Sequence, residues 1–193
     1  MTEEGRKELK IYCFHRRLAA SQVYGDDFIE KVKRAFSNNI YPVDENLIAS
    51  PKHLAECEEC KGYHDFFVGK KWEDCLNANA FGKLCGGQSF FKASAWHYYL
   101  PAYLIQLINN QRFFAGYEFQ PREDTDLPEL IEWQKEEISL LSSKQCEVIV
   151  DYLEITLKVW EGIEKGYQDD RKALNFWKEN YQKALAKEQN LNK

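Results

Sequence analysis

The apolar residues of this 193-residue chain recur mostly at intervals of three and four positions, which is the spacing of one face of an α-helix. Long runs of β-branched residues, which are typical of buried strands, do not occur. The pattern therefore predicts an all-α fold, a single compact helical domain of about six to eight helices with a C-terminal helical extension. The predicted helices cover residues 26–37, 51–69, 89–111, 128–141, 142–163 and 169–187.

The strongest apolar pattern lies in "SFFKASAWHYYLPAYLIQLINNQ", residues 89–111. Trp96, Leu100, Tyr103 and Leu104 fall on one face of this helix, so we predict that they lie in the core. Pro101 either kinks the helix or begins a second one, because proline cannot donate the backbone hydrogen bond of a helix interior. The apolar run is too short and too polar to span a bilayer.

The remaining segments predict the connections and the domain boundaries. The glycine-rich "FGKLCGGQS" at residues 81–89 predicts a loop, and "RFFAGYEF" at residues 112–119 is the one strand candidate. We predict an N-terminal helical extension over residues 1–22, a helical core domain over residues 23–165 and a C-terminal helix over residues 167–188 packed on that core.

Charge and cysteine content limit the classes of partner. The net charge of −5 argues against a nucleic-acid partner held by bulk electrostatics. The charged N-terminus "MTEEGRKELK" has no secretory signal, so we predict a cytoplasmic protein. In that compartment the six cysteines are expected to be thiols or metal ligands rather than disulfides.

The segment "HLAECEECKGYH" places His53, Cys57 and Cys60 at positions i, i+4 and i+7, along one helix face. Cysteine and histidine are the ligands that zinc prefers, so the three predict a structural zinc site. A straight helix would separate His53 from Cys60 by about 10 Å along its axis. Either the helix is broken near the site, or further ligands come from elsewhere. The candidates for a further ligand are Cys13, His15, Cys75 and Cys85.

A second interpretation of the same segment remains open. Cysteine is among the most buried residue types, and the stripe continues to Phe67, so Cys57 and Cys60 would then be core thiols without a cofactor. His97 lies on a strongly apolar helix, where a histidine hydrogen-bonded within the core is the common case.

Two resemblances accompany these patterns. "HLAECEEC" is similar to the His-x-x-x-Cys-x-x-Cys segment of zinc-containing anti-sigma factors, which implies a structural zinc. The ordered signatures "CEEC", "FFVGKKW" and "AWHYYLPAYL" resemble those of an all-helical bacterial family of unknown function. That resemblance implies a helical fold and no catalytic residues.

Two functions of different classes follow. The first is a non-enzymatic protein-interaction or regulatory protein, including immunity or neutralising roles, whose partner is another protein rather than a nucleic acid or a membrane. The alternative is a thiol- or metal-dependent enzyme that uses Cys57 and Cys60, or Cys85 with His97.

Overall fold

The computed structural model describes residues 3–48, 51–113, 119–123, 126–161 and 167–191, and within these ranges the fold is all-α, with no strand. The eight α-helices in these ranges are α1 (Glu3–Ala35), α2 (Pro51–Glu56), α3 (Glu58–Phe67), α4 (Ala78–Gly87), α5 (Ala93–Asn109), α6 (Pro128–Ser139), α7 (Ser143–Trp160) and α8 (Tyr167–Leu191). Short 3-10 helices occupy Asp44–Asn46 and Trp72–Cys75. None of the described helices is long and apolar enough to cross a membrane.

Helix α5 forms the centre of the fold. The four residues predicted to lie in the core, Trp96, Leu100, Tyr103 and Leu104, are all at most 2% exposed. Helices α1, α4 and α6 pack around α5, so its apolar character on nearly every face matches its surroundings.

Pro101 lies inside a single continuous α5 and neither ends the helix nor begins another. Proline lacks the N–H that would bond to the carbonyl four residues earlier, which belongs to His97. The side-chain amide of Asn39 donates to that His97 carbonyl at 3.0 Å instead. The carbonyl that Pro101 leaves without a helical partner is thus hydrogen-bonded from the segment after α1.

Helix α1 is continuous from Glu3 to Ala35, across the boundary predicted at residue 22. Its buried stripe of Phe28 and Val32 faces α5 and α7. Lys31 joins α1 to α7 through a 2.6 Å ion pair with Asp151. These contacts place the N-terminal helix against the core of the chain.

Helix α7 begins with a capping box. Ser142 is the N-cap and accepts a hydrogen bond from the backbone of Gln145, whose side chain accepts one in return from the Ser142 backbone. Helix α8 packs along α7 and buries Leu174 and Trp177. The apolar stripe of the C-terminal helix is therefore covered by the chain itself.

Three aromatic side chains donate hydrogen bonds to backbone carbonyls of described residues between α5 and α6. Tyr152 donates to the Arg112 carbonyl at 2.6 Å, and Trp177 donates to the Phe119 carbonyl at 2.9 Å. The Trp160 indole donates to the carbonyl of Phe113. Residues 114–118 of the predicted strand lie outside the described residues.

The loop predicted at residues 81–89 is wrong, because most of that segment belongs to α4. Asn77 caps the helix by accepting from the Ala80 backbone at 3.1 Å, and Leu84 is fully buried. Gly86 and Gly87 lie in the last turn, where their small size lets neighbouring aromatic rings approach the helix. Packing therefore outweighs the weak helix propensity of glycine.

Candidate metal centre

The candidate site lies where α2 ends and α3 begins. Cys57 separates the two helices and has an extended backbone, with φ −122° and ψ 101°. Its N–H completes α2 by donating to the His53 carbonyl at 2.9 Å, and its carbonyl accepts the first bond of α3 from Lys61 at 3.0 Å. A break of one residue thus bends the chain at Cys57, which is the first of the two arrangements that the spacing allowed.

The bend brings the three predicted ligands together. The Nε2 atom of His53 lies 3.3 Å from the Sγ atom of Cys60. The ligand atoms of His53, Cys57 and Cys60 all lie within 4.8 Å of one another. Neighbouring ligand atoms on a tetrahedral zinc are separated by about 3.5–3.8 Å, given Zn–S and Zn–N bonds of about 2.3 and 2.1 Å. The cluster can therefore hold a metal ion with small side-chain adjustments.

The surroundings differ among the three ligands. Cys60 is 3% exposed and belongs to the core, as the buried-thiol interpretation expects, whereas Cys57 is half-buried and His53 is exposed. One side of the cluster therefore joins the packed interior and the other side opens to solvent.

The two thiols have opposite pKa shifts. The backbone N–H of Cys60 donates to the Cys57 sulfur at 3.4 Å and lowers the pKa of Cys57. Burial raises the pKa of Cys60 to about 11, and the neighbouring Cys57 thiol contributes in the same direction. Cys57 sits at the N-terminus of α3, where backbone N–H groups favour a thiolate. Cys57 is thus the thiol better prepared to act as a metal ligand, and a cation would be needed to ionise Cys60.

The four further candidate ligands lie outside the cluster. None of them has a ligand atom within the group formed by the three residues above. His15 is exposed on α1, and Cys13 is half-buried on the same helix. Cys75 is fully buried, with its thiol 3.8 Å from the Lys71 carbonyl, and Cys85 lies on α4. Within the described residues the cluster therefore has three protein ligands.

His97 takes part in a structural network. Its Nε2 atom lies 3.1 Å from the Oε1 atom of Gln145, and the Gln145 amide donates to Asn39 at 3.0 Å. Burial lowers the pKa of His97. The network connects the segment after α1 to α5 and to the N-terminus of α7, and the half-buried His97 is hydrogen-bonded within it.

The sequence allows a break near the site but does not locate it at Cys57, because no glycine or proline marks that position. The available signal is the pair Glu58 and Glu59, which directly follows Cys57. Acidic residues favour the first turn of a helix, so two of them after a cysteine indicate a second helix start.

No protein-family model matches the chain, and no curated protein or solved structure matches it.

Proposed function

We propose that this protein is a non-enzymatic helical protein that binds one zinc ion through His53, Cys57 and Cys60 and acts by binding another protein. The observation that carries the metal proposal is the convergence within 4.8 Å of the His53 imidazole on α2, the Cys60 thiol on α3 and the thiol of Cys57 between the two helices. Thiolate and imidazole ligands in this combination favour zinc over the harder cations calcium and magnesium.

The zinc would act as a structural staple for α2. This helix has six residues, and a helix of that length is unstable alone in water. Leu54 packs against the core, and His53 on the same helix meets Cys60 of α3. A metal bound to both helices would fix α2 on the core. With three protein ligands, a water molecule or a side chain of the partner would supply the fourth ligand.

The partner proposal rests on exposed apolar side chains in α1. Ile11, Tyr12 and Phe14 are 58%, 52% and 48% exposed, within four residues of one another. Aromatic side chains are frequent anchors at protein interfaces. This cluster supports a regulatory or neutralising role exercised through contact with a second protein.

The metal proposal is tested by metal analysis of protein purified without chelator. We expect about one equivalent of zinc in the wild type and in Cys13→Ser, a thiol variant outside the cluster, and none in Cys57→Ser. A metal ion whose free concentration is about a thousand times its dissociation constant stabilises the fold by about 4 kcal/mol. Removing the metal should then lower the melting temperature by about 8–16 °C. Wild-type protein without metal, with the same melting temperature in chelator, would refute the proposal.

The partner proposal needs a separate experiment. Tagged wild-type protein and a Tyr12→Ala, Phe14→Ala variant are compared for capture of a partner from an extract of the source cells. Ile40→Ala is the control, because Ile40 is 87% exposed and lies beyond the end of α1. A partner that the wild type and the control retain and the double variant loses supports the proposal. Equal capture by all three proteins contradicts it.

A further inference from the structure

A groove of about 470 Å³ runs between α6 and α8 over the start of α7. This volume lies within the range of about 300–1,000 Å³ that is usual for small-molecule sites, and clefts between helices are common places for them. The apolar side chains that line the groove are Ile131, Ile138, Leu141, Cys146, Phe176 and Ala184. Leu141 and Cys146 are buried, so the floor of the groove belongs to the core.

The charged residues that line the groove are all basic. They are Arg122, Lys135, Lys183 and Lys187, and no aspartate or glutamate is among the lining residues. This is a local reversal of charge in a protein whose net charge is −5. Lys183 and Lys187 lie one helical turn apart on α8, on the same side of the helix.

The two lysines of α8 are free to bind an anion. Neither Lys183 nor Lys187 forms a hydrogen bond or an ion pair with any residue in the described part of the chain. Lys135, by contrast, pairs with Glu132 at 2.6 Å. An apolar floor beside two unpaired ammonium groups is complementary to a molecule with an apolar body and one anionic end.

We propose that this groove binds a single-chain anionic amphiphile, a fatty-acid-like carboxylate whose chain lies on the apolar floor and whose head meets Lys183 and Lys187. The proposal goes beyond the zinc and partner proposals and depends on neither. The pairing of an apolar floor with the two unpaired ammonium groups of Lys183 and Lys187 favours an occupant with one apolar chain and one anionic end.

The test is titration calorimetry with octanoate, decanoate and decan-1-ol, all below their aggregation concentrations. We expect one molecule of decanoate per chain. Each methylene should strengthen binding about fourfold, so decanoate should bind about fifteenfold tighter than octanoate. Decan-1-ol has the same chain without the charge and should bind at least tenfold more weakly than decanoate.

Two kinds of variant test separately the binding of the ligand's carboxylate head and of its hydrocarbon chain. Lys183→Glu with Lys187→Glu should weaken decanoate at least tenfold and leave decan-1-ol unchanged. Lys7→Glu with Lys10→Glu makes the same change in net charge at exposed positions of α1 and should leave decanoate binding unchanged. Ala184→Phe should weaken both ligands by filling the groove. Circular dichroism confirms that each variant is folded.

Three results would overturn the proposal. The first is an absence of decanoate binding to folded wild-type protein. The second is equal affinity for decanoate and decan-1-ol, since the lysines would then contribute nothing. The third is unchanged decanoate affinity in both the Lys183→Glu, Lys187→Glu variant and the Ala184→Phe variant, which would place the ligand elsewhere on the protein.

Discussion

Replacing Gly86 with alanine tests how tightly α4 is seated on α3. A Cβ atom built at Gly86 would lie 2.1 Å from the hydroxyl oxygen of Tyr63 and 2.9 Å from its Cζ atom. Tyr63 stacks on Phe90, with ring centroids 5.0 Å apart and planes inclined by 24°. The alanine can therefore be accommodated only if the Tyr63 side chain shifts, which disturbs its stacking on Phe90. Gly82 is the matched control, because it lies in the same helix with nothing within 4 Å of its built Cβ atom.

The expected change in the free energy of unfolding for Gly86→Ala is the sum of opposing contributions. Overpacking of a tight contact costs about 1–3 kcal/mol, and loss of an aromatic stack costs about 0.5–1.5 kcal/mol. The better helix propensity of alanine offsets up to about 1 kcal/mol of this. Gly86→Ala should therefore destabilise the protein by about 0.5–3.5 kcal/mol. Gly82→Ala should stabilise it by about 0.5–1 kcal/mol.

The assay is urea unfolding followed by circular dichroism at 222 nm, at a fixed metal concentration. In a thermal scan of the same variants, a loss of 2 kcal/mol would lower the melting temperature by about 4–8 °C in a chain of this size. Tyr63→Phe removes the nearest oxygen, so the cost of Gly86→Ala should fall in that background, as a double-mutant cycle would measure. If Gly86→Ala is as stable as Gly82→Ala, the packing of α3 on α4 is looser than this reasoning requires.

Three further predictions concern the core. Leu104→Ala should lower the free energy of unfolding by about 2–5 kcal/mol, because Leu104 is fully buried in α5, and denaturant titration measures it. The pKa of His97 is lower in the folded state than in the unfolded state, so as the pH falls the unfolded state takes up the proton before the folded state does. The free energy of unfolding should therefore decrease as the pH drops below about 6.5. His97→Gln should lose less stability over that range of pH, and equal pH slopes would contradict this. Deletion of residues 167–193 should cause early melting or aggregation, because Leu174 and Trp177 cover α7; a truncated protein of unchanged stability would be the contrary result.

The fold class and the central helices could be predicted from the sequence, because their signals are local. The 3–4 spacing of Leu100 and Leu104 marks a buried helix face, and the Ser142–Gln145 pair marks the start of α7. Both features depend on residues within one or two helical turns of each other. Both features can therefore be predicted without knowledge of the tertiary contacts.

The features that escaped prediction depend on distant contacts. Gly86 in α4 leaves room for the ring of Tyr63, which lies 23 positions earlier. Pro101 is tolerated within α5 because Asn39 bonds the carbonyl that the proline leaves without a helical donor. The bend at Cys57 brought the three predicted ligands of the candidate site together, although the spacing alone could not decide between a bend and ligands from elsewhere. The local helix propensity of a segment does not identify its distant contacts, because these contacts form only when the chain is folded.

The pairing of α1 with α7 has a consequence for synthesis of the chain. Arg16 donates to the Lys158 carbonyl across 142 positions, and Lys31 pairs with Asp151 across 120. At a ribosomal rate of about 5–20 residues per second, roughly 6–25 s pass between completion of the first helix and emergence of its partner. During that interval Phe28 and Val32 lack part of the surface that later covers them. The nascent N-terminal helix would therefore be a binding site for chaperones until the second half of the chain has been made.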